Sequence, residues 1–169
     1  HGFTNMDLDK EPIFKDKTQE ILDFCGENAY LISHNNDSFD KKFLLIELYN
    51  AGISKPGGWK YIDTLKIART LYPELVNHKQ NTLQNKFGIK VSGNHRANKD
   101  VLDLFKIYEI MSDGKTPEEM YKISKKFVYK NMPFGKHKGI PLNDIPESYV
   151  KWLRQNVFPN DSLLKKSFN

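Results

Sequence analysis

An α/β fold is predicted by two short apolar runs with strand character, by a helical apolar rhythm after each of them, and by glycine or polar stops in between. The runs are residues 29–33 (Ala-Tyr-Leu-Ile-Ser) and 59–62 (Trp-Lys-Tyr-Ile). Strands that alternate with helices in this way pair in parallel within one sheet.

Taken in order, Phe14, Ile21, Leu22, Phe24 and Cys25 give a first helical stripe, and Gly26 stops it. The strand at 29–33 runs into a polar turn. Ser38 is a suitable cap for the next helix, whose stripe includes Phe39, Phe43, Ile46 and Tyr49 and which Gly52 closes. After the second strand, Asp63 caps a helix through Leu65, Ala68 and Leu71. It must end before Pro73, because proline restricts the residue ahead of it. A short helix is expected over 81–87, ended by Gly88. The strongest helix spans 97–111, with Val101, Leu104, Phe105, Tyr108 and Met111 at three-to-four spacing, and Asp113-Gly114 breaks it. Two strands make a poor sheet, so further strands are expected outside this sequence, which begins with His rather than Met.

The 169 residues carry a net charge of +5, unevenly spread. Residues 1–114 hold 15 Lys+Arg against 16 Asp+Glu, and residues 115–169 hold 11 against 5. A basic C-terminal third favours a phosphate-bearing partner, since clustered lysines release counterions on binding nucleic acid. Genome composition offers a second source of this charge, because only three of the 26 basic residues are Arg. No apolar run approaches the roughly 18 residues that cross a bilayer, and no secretory pattern opens the chain. A cytoplasmic protein without a membrane partner is therefore expected. The one cysteine, Cys25, has no internal disulfide partner and reads as a buried thiol.

Chemistry concentrates in two segments. His34-Asn35-Asn36-Asp37-Ser38-Phe39-Asp40 sits where a strand hands over to a helix, at the edge where α/β sheets carry function. Asp40 falls in register with Leu44 and Leu48, which turns its carboxylate toward the buried face, where it needs a cation or donors. Alternatively it only steadies the helix N-terminus against the macrodipole. In His95-Arg96-Ala97-Asn98-Lys99-Asp100, residues five apart on one helix diverge by about 140°. His95 therefore precedes the helix, whereas Asp100 lies on its first turns in line with Leu104 and Tyr108. The pair is either a core-facing carboxylate beneath an imidazole or a surface histidine beside a solvated Asp.

The combination is more specific than its parts. His1-Gly2-Phe3-Thr4, His34-Asn35 with Phe39-Asp40, Ile62-Asp63-Thr64-Leu65 with Ala68-Arg69, and His95-Arg96-Ala97 with Asp100 occur in the order and approximate spacing of one family. Over residues 1–112 the sequence resembles the DEDDh exonucleases. The resemblance implies a ribonuclease H-like fold, Asp40 and Asp100 as catalytic metal ligands, His95 as general base, and His34 and Asn35 at the substrate. It also implies two ions, Mg²⁺ or Mn²⁺, which suit oxygen ligands. The expected substrate is a single-stranded or frayed DNA 3′ end; RNA trimming and non-catalytic nucleic-acid binding are the alternatives. No protein partner can be named.

The family's first motif, Asp-x-Glu, has one apparent match, Asp9-Lys10-Glu11. No apolar strand precedes it, Pro12 follows at once, and it comes after His1-Gly2, whereas the family's motif comes before that point. Those two carboxylates and the first strands are expected upstream, so the chain reads as N-terminally truncated and inactive or nearly so. Residues 113–127 read as a helical linker and 128–169 as a small α+β module. Met132-Pro-Phe-Gly-Lys-His-Lys-Gly-Ile-Pro-Leu142 and the helix after Pro146 resemble the C-terminal module of exodeoxyribonuclease X-like proteins. Lys136 and Lys138 on its glycine-flanked turn are the candidate phosphate contacts.

Overall fold

The computed structural model describes residues 4–54, 56–90 and 97–169. They fall into two compact units, His1–Lys125 and Lys126–Asn169, each with its own apolar cluster.

The first unit opens with a one-turn helix α1 (Asn5–Leu8), capped reciprocally by Thr4 and Asp7, and with α2 (Phe14–Cys25). β1 (Tyr30–Ser33) follows, then α3 (Asp40–Asn50), β2 (Lys60–Asp63) and α4 (Thr64–Leu71). The two strands pair in parallel, Tyr30 opposite Lys60 and Ser33 opposite Asp63. Parallel neighbours need a crossover, and α3 supplies it. Gly57 is required just before β2, because a Cβ there would collide with the Glu27 backbone. Trp59 then buries its ring and donates its indole N–H to the Gly26 carbonyl at 2.6 Å.

α5 (Gln80–Lys86), α6 (Ala97–Ser112) and α7 (Pro117–Lys126) complete this unit. Ile62, Ile67, Ala68, Leu83, Ile107 and Met120 are fully buried in its core. α7 lies in the stretch expected to be a linker, yet Met120 belongs to that core. The same helix sends Glu118 to the sheet, where Tyr30 Oη and Lys60 Nζ both donate to it at 2.6 Å.

In the second unit the chain turns back on itself. Met132 N donates to Ile140 O and Gly139 N to Met132 O, each at 2.8 Å. A 3₁₀ turn (Leu142–Asp144), α8 (Glu147–Asn156) and α9 (Ser162–Ser167) then close over Met132, Val150, Leu153 and Leu164.

Three expectations are corrected. Ser38 does not cap α3; Phe39 stands at the N-cap with no side-chain hydrogen bond. The stripe Phe39, Phe43, Ile46, Tyr49 is exposed, and Leu48 is the fully buried residue of α3. The period of a helix marks a face, but which face is covered depends on its neighbours, and α3 packs on α2. For the same reason Phe24 is almost wholly exposed, and Cys25 is only half-buried, with burial pushing its thiol pKa up. Among the described residues no helix is long and apolar enough to cross a membrane.

Candidate functional site

The ends of parallel strands lie on the same edge of a sheet, and here that edge carries the segment after β1 and the start of α4. Asn35 takes a left-handed conformation (φ 68°), which asparagine tolerates better than most residues. This turn aims two successive backbone N–H groups at one carboxylate. Asn35 N donates to Asp63 Oδ1 and Asn36 N to Asp63 Oδ2, both at 3.0 Å. Asp63 Oδ1 also accepts from Leu65 N at 3.0 Å, the N-cap bond of α4. Asp63 is only 4 % exposed. A carboxylate so buried needs donors, and three backbone amides provide them. The sequence identified Asp63 as a cap; it did not reveal that the same side chain pins the loop after β1. Its own backbone N–H donates to Ser124 Oγ of α7 at 3.1 Å.

His34 is partly buried beside this clamp. Its Nδ1 lies 3.0 Å from Thr64 Oγ1, which lies 3.0 Å from the Ser33 carbonyl. If the Thr64 hydroxyl proton goes to Ser33, the imidazole must donate at Nδ1. Burial holds the imidazole pKa below its ordinary value, against the charge of Asp63 and a backbone hydrogen bond to His78; Asp40 and Arg69 also act on it. The native chain therefore binds this proton at lower pH than the unfolded chain does. Stability contributed by neutral His34 is present above the unfolded value of about 6.5 and is lost as pH falls from there toward the folded value. His34→Asn is expected to shrink the drop in melting temperature between neutral and mildly acidic buffer; an equal drop in both proteins would show that His34 titrates alike folded and unfolded.

Asn36 is 2 % exposed, and its Nδ2 has no hydrogen-bond partner among the described residues. Burial acts to raise the carboxyl pKa of Asp37, but a hydrogen bond and charge from Lys66, with the charges of Lys41 and Lys125, outweigh it and hold the group low.

Asp40 stands on the first turn of α3 and is exposed, contrary to the expectation that it faces the core. Asp100 is likewise exposed. The buried residues of α6 are Asp103, Ile107, Tyr108 and Met111, so the core begins one turn beyond Asp100, where the same face is still open to solvent. Its backbone carbonyl accepts from Gln80 Nε2 at 3.0 Å, which fixes the start of α6 to α5. The buried acid of α6 is instead Asp103, whose Oδ2 accepts from Gln84 Nε2 at 3.1 Å and whose Oδ1 pairs with Lys106 at 3.2 Å. Sequence reading passed over it, although an Asp at helical spacing from Ile107 and a Gln on the preceding helix were visible.

The structure thus brings His34, Asn35 and Asp40 onto one loop-to-helix segment tied to β2. His95 and the first three residues lie outside the described residues. Lys136 and Lys138 are exposed on the turn of the second unit. Asp9 and Glu11 are exposed. Asp40 and Asp100 are hard oxygen donors of the kind Mg²⁺ or Mn²⁺ takes. Among the described residues, however, no three His, Cys, Asp or Glu side chains gather where they could hold an ion. The described donors therefore do not make up a two-ion centre.

The strand-edge segment His-Asn-x-x-x-Phe-Asp, clamped by Asp63, lies within the part of the chain that the comparisons match, and the chain belongs to the DEDDh 3′→5′ exonuclease family. A family profile described as exonuclease matches residues 1–108. Among curated relatives, the DNA polymerase III subunit epsilon of Buchnera aphidicola subsp. Acyrthosiphon pisum is 33 % identical over 172 residues, covering 91 % of this chain and 70 % of that protein. The PolC-type DNA polymerase III of Bacillus cereus is 32 % identical over 76 % of this chain, and that of Halalkalibacterium halodurans 40 % over 57 %. The matches span only 8 % and 6 % of those two long polymerases. A second profile, described as a putative quorum-sensing-regulated virulence factor, matches residues 120–166. No solved structure matches the chain.

Proposed function

We propose that this chain is the greater part of an exonuclease that removes nucleotides from single-stranded or frayed DNA 3′ ends, in the cytoplasm. The observation that carries this reading is the segment 34–40, held at the strand edge by the buried Asp63 carboxylate and presenting Asp40 to solvent. In the proposed site Asp40 and Asp100 are ligands for Mg²⁺ or Mn²⁺, His95 accepts a proton from the attacking water, and His34 and Asn35 lie against the substrate. Two further carboxylates are needed, and an Asp-x-Glu strand of a larger, ribonuclease H-like sheet upstream of His1 would provide them. Residues 1–112 then form the nuclease part and 128–169 a basic module, with 113–127 between them.

A second reading has its own support. In it the chain serves as a nucleic-acid-binding module without chemistry, its lysine-rich end, 11 Lys+Arg against 5 Asp+Glu over residues 115–169, holding phosphates. End-labelled DNA and RNA oligonucleotides separate the readings when incubated with the protein extended to include the Asp-x-Glu segment and, in parallel, with this chain. The extended protein is expected to shorten DNA from the 3′ end with Mg²⁺ or Mn²⁺ and to stop in EDTA, while this chain leaves the label intact. Cleavage that persists in EDTA would refute the metal assignment, and RNA shortened faster than DNA would reverse the substrate.

A further inference from the structure

The second unit carries an aromatic stack whose making is legible residue by residue. Gly135 (φ 73°) opens the basic turn, and a Cβ on it would lie 2.9 Å from the Tyr149 hydroxyl, so glycine lets that ring close in. The His137 ring meets Tyr149 edge-on at 4.6 Å between centroids, and the Lys136 ammonium sits 5.4 Å from the same ring. Trp152, one turn along α8, stacks on Tyr149 at 5.4 Å and 20°. Val150 and Leu153 of the same helix are buried in the core, so the stack stands on a fixed element. Trp152 nonetheless remains 47 % exposed. One face lies against Tyr149, so this exposure belongs to the rest of the ring, and Phe134, 38 % exposed, lies on the turn that closes against the stack.

The surroundings are cationic. Residues 126–169 hold eight Lys+Arg against three Asp+Glu. Lys136, Lys138 and Lys151 are exposed and make no ion pair among the described residues, whereas Arg154 is drawn to Glu147 at 3.6 Å. A half-exposed indole extending an existing ring stack, flanked by lysines that make no ion pair among the described residues, is complementary to a planar group attached to a polyanion. A nucleobase on its phosphate backbone has that chemistry.

We propose that Trp152 and Tyr149 form a stacking platform for an unpaired base, with Lys136, Lys138 and Lys151 on the flanking phosphates, so that this unit grips single-stranded nucleic acid. The site rests on the nucleic-acid reading above but needs none of its chemistry. Inside a duplex both faces of every base are covered and only the terminal pairs have an open face, which makes the platform favour single strands.

The test is fluorescence anisotropy with the full chain in EDTA, which halts metal-dependent hydrolysis and so keeps this result separate from the cleavage assay. The probes are labelled oligothymidylate, an abasic backbone of equal length and a blunt duplex. Oligothymidylate is expected to bind about 10- to 100-fold more tightly than the abasic strand, the range for a stacked base. Trp152→Ala should erase that preference, and Trp152→Phe should restore part of it. Lys136→Ala with Lys138→Ala should flatten the dependence of log affinity on log salt by about 0.7 for each phosphate no longer neutralised. Equal binding of abasic and base-bearing strands by the unaltered chain overturns the platform without any mutant. Unchanged preference in a folded Trp152→Ala does so too, and competition by polyglutamate as strong as by oligothymidylate would point to an acidic protein instead.

Discussion

Asp100→Ala is expected to abolish exonuclease turnover in the protein extended to include the Asp-x-Glu segment, and to leave the melting temperature of the chain unchanged. The two halves of this result come from the same geometry. The Asp100 carboxylate is exposed and makes no ion pair or hydrogen bond among the described residues; its backbone carbonyl, which survives the substitution, is what ties α6 to Gln80. Among the described residues the carboxylate has only the favourable field of the α6 N-terminus to answer to, so its loss should cost the fold little. Asp40→Ala is expected to behave alike, since Asp40 opens α3 equally exposed. His95→Ala should lower turnover by about 10²- to 10⁴-fold, as loss of a general base does. Asp9→Ala with Glu11→Ala should change nothing. Steady-state rates beside thermal melts check the set; near-normal turnover in Asp100→Ala and His95→Ala together would refute the assignment.

The largest effect on stability should come from Asp63. Its carboxylate accepts from three backbone amides, of which Asn36 is itself buried, and alanine would leave those donors without an acceptor. Orphaned buried donors and the loss of a charged acceptor cost several kilocalories together, so Asp63→Ala is expected to lose about 3 to 5 kcal/mol in urea unfolding. Asp63→Asn keeps one acceptor oxygen and should lose less. A loss below about 1 kcal/mol in Asp63→Ala would mean that water replaces the carboxylate, and that the loop after β1 is held by something else.

Local signals were the legible ones. The two strands, the Asp63 cap, the stop at Gly26 and the helix opening at Ala97 follow from propensity, capping and period, and the observed ends differ by a residue or so. The family was legible because the types and order of its motif residues are specific. Burial was not. Phe39 and Phe43 share a helix face and stack at 5.8 Å, but no single-sequence rule says that this face looks outward. Nor could spacing show that Glu118, 88 residues from Tyr30, would close on the sheet, or that Asp103 rather than Asp100 would be the buried acid of α6. These depend on which elements meet, information carried by the whole packing and not by any window of sequence.

The clamp also orders events in time. Asn35 and Asn36 are held by a side chain 28 and 27 positions further along, across the whole α3 crossover. While a nascent chain still ends within α3, the turn that presents Asp40 has no anchor. It can be fixed only after β2 has been made and closed against β1, a non-local step that carries loop-closure entropy before any contact repays it. The bonds of α3 are local, but a helix of 11 residues is marginal in water without packing. Until β2 pairs, therefore, neither α3 nor the turn ahead of it is held in place, and the clamp completes the segment last.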